Sequence, residues 1–268
     1  MTIKKIAYDL TPPLIWRALS RMRQKLSPGS GAAEVPAPQY GASGDYASYA
    51  EAQRACAGTY HNQLLQEKTR ELTAGIMTGT DISQLNIRLL AALQYCAARI
   101  PEPLDILDFG GAMGAHYIYL RRYLQRLRSW TVVEIEETAA IGNASFADEI
   151  LRFTTELPES ASFVLSSGAI QHTEEPYDTL GKLLSRGARY IVLDKVPLGE
   201  RDRRTIQRVH PSVFGAEVAF PSYFFGARKF RESLSPYKVV MEWELPGYAA
   251  HLDGEFVEIN RGFVLEKA

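Results

Sequence analysis

The sequence predicts an open α/β domain on a mostly parallel sheet, closed by an antiparallel hairpin and preceded by a helical extension. Three observations lead there. The run ILDFGGAMGAH, Ile106 to His116, reads as a buried strand entering a glycine-crowded turn that opens a helix. Beyond it, short β-rich runs alternate with segments of about a dozen residues, the spacing of βαβ units and of a parallel sheet with both faces covered. The last two strand candidates, KVVMEWEL and EFVEINRGFVLEK, have no helix between them and so must run antiparallel.

Residues 1–45 come first. Within the opening 28 residues Lys4, Lys5, Arg17, Arg21, Arg23 and Lys25 stand against one acid, Asp9. After Pro12 and Pro13, the residues Ile15, Leu19, Met22 and Leu26 recur at helical spacing, with Arg17, Arg21 and Lys25 on the other face. Such a helix can lie on an anionic membrane surface through residues 12–28, or pack on its own domain with a solvated basic face. The stretch SPGSGAAEVPAPQYGASG, 27–44, reads as a flexible or partly ordered connector. Residues 46–100 read as a helical cover: SYAEAQRACAG, HNQLLQEKTRELTAGI and DISQLNIRLLAALQYCAARI. In the last of these Asp81 is the expected cap, and Ile82, Leu85, Leu89, Ala92 and Cys96 share one face. Pro101 and Pro103 close the helical region. The α/β domain then occupies 101–268, in the order LDILDF, YIYLRRYLQRL, WTVVEI, the TAAIGNASFADEI run, LRFTTEL, ASFVLSSG, a helix near PYDTLGKLLSRG, and YIVLDKV.

Composition narrows the function classes. The chain has 268 residues, 46% hydrophobic and 23% charged, enough for one large core. A formal net charge of -1 gives no global attraction for nucleic acid, and no basic stripe or recognition module is apparent, so no nucleic-acid partner is expected. Cys56 and Cys96 offer neither a disulfide framework nor a metal-ligand spacing, and no metal site is expected. No run of 18 apolar residues occurs and the N-terminus lacks a secretory h-region, so the expected location is the cytoplasm, peripheral to the inner face of the membrane if residues 12–28 touch it. Oligomeric state is not set by the sequence.

The glycine turn carries the chemistry. In an open parallel sheet, ligands collect beyond the carboxyl ends of the strands at the switch point, here the turn after the first strand. Glycines permit positive φ and close approach, and the helix from about Ala115 points free N–H groups at the site. A P-loop needs GxxxxGK[ST], and no Lys-Ser or Lys-Thr follows. A dinucleotide fingerprint needs GxGxxG, whereas Gly110 is followed by Ala112 and Ala115 at the required places. Cofactor chemistry without a pyrophosphate is what remains. The same turn can hold a nucleoside with a sulfonium-bearing amino-acid tail, with Asp108 and backbone groups at the tail. Glu134, the acid inside the apolar run WTVVE, suits the ribose because a carboxylate offers only acceptors to two hydroxyl donors. Asp108 can also be read as a strand-end acid capping the turn.

At this point a family resemblance appears. The chain resembles the class I S-adenosylmethionine-dependent methyltransferases, and more narrowly a bacterial group linked with cell-surface polysaccharide or small-molecule biosynthesis. The likeness begins in GASGDYASYAEAQRACAGTYHNQLLQ, Gly41 to Gln66, similar to the group's Gly-Asp-Tyr-x-Ser-aromatic-x-x-Ala signature. It continues through DFGGAMGAHY, WTVVE, LRFTTEL, SSGAIQHTEEPYDTL and TIQRVHPSVFGAEVAFPSYFF. The resemblance implies a Rossmann-like class I methyltransferase sheet with S-adenosylmethionine as cofactor. It implies a donor site of Asp108, Gly110, Gly111, Gly114, His116 and Glu134, with Gly168 and Ala169 lining the loop after the fourth strand and Phe153 and Thr154 bordering the adenine. Two departures stand out: Ala112 where the motif prefers glycine, and His172 where the group more often has an aromatic.

The implied acceptor is a small molecule or glycan precursor, methylated at oxygen or nitrogen. A secondary-metabolite acceptor is the alternative, and a non-catalytic binding protein with the same fold is the rival from another class. Methyl transfer is an in-line displacement, so a base able to titrate near neutrality comes from His61, His116, His172, His210 or His251. His172 ranks first because SSGAIQH brings it over the carboxyl edge of the sheet. His210, in RTIQRVHPS, and Tyr223, in the aromatic run FPSYFFG, follow. Arg201, Arg203, Arg204 and Arg208 form a positive cluster, read either as surface charge or as a contact for an anionic group on the acceptor.

Overall fold

The computed structural model describes residues 41–56, 63–78, 86–209, 218–252 and 255–268, without the side chains of 77, 78 and 246–259. The basic N-terminal helix, His61, the Asp81 cap with Ile82 and Leu85, and His210 fall outside the described residues, as does the side chain of His251.

Strand β1 (Gly41–Ser43) is followed by three helices, α1 (Tyr49–Arg54), α2 (Gln63–Thr78) and α3 (Ile87–Ala97). Asn86 caps α3, its side chain accepting from the Leu89 N–H at 3.1 Å. Leu89, Ala92 and Cys96 are buried along one face of that helix, as their spacing predicts. The α/β alternation then runs β2 (Leu104–Phe109), α4 (Ala115–Leu120), β3 (Leu127–Val133), α5 (Glu136–Ser145), β4 (Leu151–Thr154), β5 (Phe163–Ser167), α6 (Pro176–Leu184) and β6 (Tyr190–Val196). Strands β7 (Leu198–Gly199), β8 (Arg203–Val209) and β9 (Val218–Gly226) precede α7 (Ala227–Ser233) and the hairpin of β10 (Tyr237–Leu252) with β11 (Glu255–Lys267).

The described strands make an 11-stranded sheet in the order β4-β3-β2-β5-β6-β11-β10-β1-β8-β9-β7. Strands β4, β3, β2, β5 and β6 are mutually parallel, and β11 runs antiparallel to both β6 and β10. This is the mostly parallel α/β sheet with a terminal antiparallel hairpin that the sequence predicts. In β6 Tyr190, Ile191, Val192 and Leu193 are all fully buried, as expected of a central strand covered on both faces. One core lies between the sheet and α3, α4 and α5, around Trp130, Tyr117 and Leu151. The other lies under α6 and α7, around Leu180, Phe230 and Phe263.

Three features differ from expectation. The helix expected over YIYLRRYLQRL ends at Leu120, passes through a 3-10 turn at Arg121–Tyr123, and gives way to β3 at Leu127. Arg126 takes a positive φ of 56° there, and its guanidinium donates to the Ala97 carbonyl at 2.9 Å. Second, one face of the sheet is only partly covered. The connection from β4 to β5, residues 155–162, holds no helix, and Asp105, Ser129, Thr131 and Arg152 line a cavity of about 520 Å³ beside it. Those polar side chains alternate with Ile106, Trp130 and Leu151 of the first core, so the strands themselves encode the uncovered face. Third, β8 and β9 are antiparallel strands where the sequence shows only a polar segment and an aromatic run. Arginines at 203, 204 and 208 mask the alternation of β8, in which Thr205 and Ile206 are fully buried. Among the described residues, no helix is long and apolar enough to cross a membrane.

Candidate functional site

The carboxyl ends of β2, β3, β5 and β6 meet at one edge of the sheet, and most of the expected site residues collect there. Gly110 closes the β2 end with φ 68°, its N–H donating to the Val133 carbonyl at 2.9 Å. A Cβ at Gly110 would lie 2.1 Å from that of Ala169, so the turn and the loop after β5 touch with no space for a methyl group. A Cβ on Gly111 would lie 2.5 Å from a carboxylate oxygen of Asp108. Gly114, with φ 80°, sits at the N-cap of α4 against Leu151 and Phe153. Each glycine is thus fixed by a different neighbour.

Asp108 is fully buried. Its carboxylate accepts from the Trp130 indole N–H at 3.1 Å and lies 3.1 Å from Nδ1 of His116, which donates because a carboxylate only accepts. Asp108 is therefore committed to holding β3 and the first turn of α4 around the glycines. Glu134 follows the end of β3. Its two oxygens accept from the Ala112 N–H at 2.9 Å and its neighbour Ile135 at 3.1 Å, while burial pushes the carboxyl up against those two bonds. Ala112 presents that N–H from a positive φ of 49°, the region glycine adopts without strain.

Phe153 is nearly all buried, its ring against the backbone of Gly114 and Gly142, and Asn143 clips its backbone with bonds of 2.9 and 3.1 Å. The ring is part of the core beneath the turn, and Thr154, partly buried, accepts from the Glu156 N–H at 3.1 Å. Gly168, with φ 69°, donates its N–H to the Asp194 carbonyl at 2.9 Å, tying the β5 loop to the end of β6.

His172 ends a 3-10 turn, Ile170–His172, in this loop. Its Nδ1 donates to the Pro221 carbonyl of β9 at 2.9 Å, and its ring meets Phe220 edge-on at 4.9 Å. Burial lowers its pKa to about 4, so the imidazole is neutral at pH 7. Tyr223 lies elsewhere, edge-on to Tyr177 at 6.1 Å and Phe225 at 5.3 Å with the Arg204 guanidinium over its ring. Burial and the neighbouring Asp202 push its hydroxyl up to about 12. Neither group is matched to proton removal near neutrality. The arginines are engaged within the chain: Arg201 and Arg203 pair with Asp45, Arg208 donates to Ser43 at 2.7 Å, and Arg204 to the Glu174 carbonyl at 2.9 Å.

Sequence reasoning passed over four participants at this edge. Asp194, 1% exposed, accepts from Asn86 at 3.1 Å, Ser167 at 3.0 Å and the Trp243 indole at 3.2 Å. The signal was there, since the acid in YIVLDKV follows an apolar run just as Glu134 does in WTVVE. Trp130 carried no such signal, because an indole in an apolar strand reads as packing. Gln171, 6% exposed, donates to the Lys195 carbonyl at 3.3 Å and has its carbonyl oxygen buried without a partner; Ser166 Oγ is likewise unpartnered. Both lie at the carboxyl end of β5 or just beyond it, where a bound polar group would satisfy them.

No protein-family model matches the chain, and no curated protein matches it. Among solved structures it is similar to magnesium protoporphyrin IX methyltransferase of Synechocystis PCC 6803 with bound SAH: 11% identity, 94% of each chain covered, TM-score 0.44. It is also similar to the N-terminal domain of EvdMO1 with SAH and D-fucose, at 16% identity over 78% of this chain and 100% of that one, TM-score 0.45. The glycopeptide N-methyltransferase MtfA with S-adenosyl-L-homocysteine covers 67% of this chain and 89% of its own, at 13% identity and TM-score 0.42. At these values the likeness assigns neither substrate nor residue roles.

Proposed function

We propose that the protein is an S-adenosylmethionine-dependent methyltransferase acting on a small-molecule or glycan-precursor acceptor at oxygen or nitrogen. The observation that carries this reading is Glu134: a carboxylate fixed by two backbone N–H groups at the mouth of a glycine turn that has neither P-loop nor dinucleotide spacing. A carboxylate held there accepts from both ribose hydroxyls. Gly110, Gly111 and Gly114 let the donor's tail approach the backbone of the turn, with Gly168 and Ala169 lining the neighbouring loop and His116 beside Asp108. Thr154 and the backbone at Phe153 border the adenine. When bound, the cofactor supplies an electrophilic methyl group on sulfur. The protein's own part is to hold the acceptor atom in line with it and exclude water. With His172 neutral and weakly basic and Tyr223 a very weak acid, positioning carries more of the catalysis than proton transfer.

Titration calorimetry with S-adenosylhomocysteine tests this directly. The expected affinity is in the micromolar range, roughly -8 kcal/mol at 1 μM. Tighter binding of a nicotinamide dinucleotide would overturn the reading.

A further inference from the structure

We infer that His172 is a positioning residue, a latch that joins the loop bordering the donor to the β8–β9 strands and transmits donor binding to them. The inference rests on the donor reading above and goes beyond it, since neither β8 nor β9 belongs to the donor site. The loop 168–172 is held at both ends. At one end Ala169 packs on Gly110 of the turn, with no space for a further methyl between them. At the other end Nδ1 of His172 donates to Pro221 at 2.9 Å and its ring meets Phe220 at 4.9 Å. Between these contacts lie a single helical turn and the backbone bond from the His172 N–H to the Ala169 carbonyl at 2.9 Å. A ligand tail lying against both Gly110 and Ala169 orders the loop, and through the His172 bond it orders Pro221 as well. Proline is apt on the receiving side. It lacks an N–H, yet its carbonyl accepts, and β9 keeps its register with β8 through neighbouring residues.

The bond has a direction that can be tested. A carbonyl only accepts, so the Nδ1 proton is the one used. An asparagine side-chain nitrogen superimposes on Nδ1 and can replace it, whereas that of glutamine superimposes on Nε2 and cannot. The experiment is hydrogen exchange by mass spectrometry on the full chain, with and without S-adenosylhomocysteine, for wild type, His172→Asn and His172→Gln. Adding the compound is expected to slow exchange across 218–226 as well as 168–172 in wild type and in His172→Asn. In His172→Gln only 168–172 should respond, and the dissociation constant for S-adenosylhomocysteine should rise about three- to tenfold, the effect of one hydrogen bond.

Protection of 168–172 without 218–226 in wild type would overturn the latch and needs no variant. Equal behaviour of the Asn and Gln variants would also overturn it, because a general packing role does not distinguish Nδ1 from Nε2. If wild type shows no binding, the donor reading fails. The latch is then judged by exchange of 218–226 without added compound: slower in Asn than in Gln supports it, and equal rates overturn it.

Discussion

The donor edge and the β8–β9 region meet at one loop, but they are held by different kinds of force. At the edge, glycines sit where a side chain does not fit: Ala169 leaves no space for a methyl group on Gly110, Asp108 none on Gly111, and Leu151 and Phe153 little on Gly114. Across β8 and β9 the attachments are attractive and spread out. They are arginines on Asp45, Ser43 and Glu174, and the edge-on rings of Tyr177, Tyr223 and Phe225. Hard contacts fix positions to a fraction of an ångström, whereas exposed ion pairs and ring edges contribute about 1 kcal/mol each and tolerate replacement. On the proposed reading, a cofactor site suits the first construction, and a wall facing the acceptor suits the second.

The sharpest way to break this contrast is to add a methyl group on the donor side. Gly110→Ala places a Cβ inside Ala169 and an alanine at φ 68°, so a loss of about 2–4 kcal/mol of stability is expected from overlap and backbone strain together. The double variant with Ala169→Gly should recover the overlap part only. Arg204→Ala, which removes a guanidinium from the Tyr223 ring and the Glu174 carbonyl, should cost about 1 kcal/mol. Urea denaturation of the three variants measures both halves of the comparison, and equal losses for Gly110→Ala and Arg204→Ala would erase it.

The contact between the two regions should be sensitive to acid. His172 has its pKa depressed from 6.5 to about 4, so the unfolded chain takes up the proton first. Its contribution is therefore full above pH 6.5 and is lost as pH falls toward 4, by about 3 kcal/mol over that window. Glu134 works the other way, since a raised carboxyl pKa favours the folded state as pH falls through it. Denaturation at pH 7.5, 5.5 and 4.5 in a Glu134→Gln background isolates the histidine. An unchanged slope after His172→Asn would mean that another group sets the dependence.

On the donor side alone, Glu134→Ala should weaken S-adenosylhomocysteine by about 1.5–3 kcal/mol, the range for hydrogen bonds to a charged acceptor. Equal calorimetric affinities in wild type and variant would remove Glu134 from the site.

The same contrast explains what the sequence reveals. Strand β2, the glycine turn and β3 are legible because local rules point one way: an apolar run, glycines at fixed offsets, an acid ending the next apolar run. Hence Asp108, Gly110, Gly114 and Glu134 were placed together at one turn, and the mostly parallel sheet and the closing hairpin were foreseen. Strand β8 was not found because one of its partners, β1, lies far away in sequence and its arginines hide its period. The environment of His172 was also illegible, since a neutral imidazole and a charged one have the same sequence, and only burial beneath Phe220 and Pro221 separates them. Gln171 stood in the quoted run SSGAIQH. Nothing local distinguishes an amide facing solvent from one with a buried, unpartnered oxygen.

The smallest effect concerns the place where this chain departs from the methyltransferase motif. Ala112 occupies φ 49° and donates its N–H to Glu134 at 2.9 Å, so the position is defined by its backbone and not by its methyl group. An L-residue held in the left-handed region loses roughly 1–2 kcal/mol relative to glycine, and the greater freedom of glycine in the unfolded chain returns about half of that. Ala112→Gly should therefore raise stability by about 0.5–1 kcal/mol, unlike the substitution at Gly110, while leaving S-adenosylhomocysteine affinity within about twofold of wild type because the N–H is retained. A fall in stability would mean that the methyl group makes a contact that outweighs the strain. A large change in affinity with stability unaltered would instead make Ala112 a wall of the donor pocket, and the departure from glycine a choice of what the pocket admits.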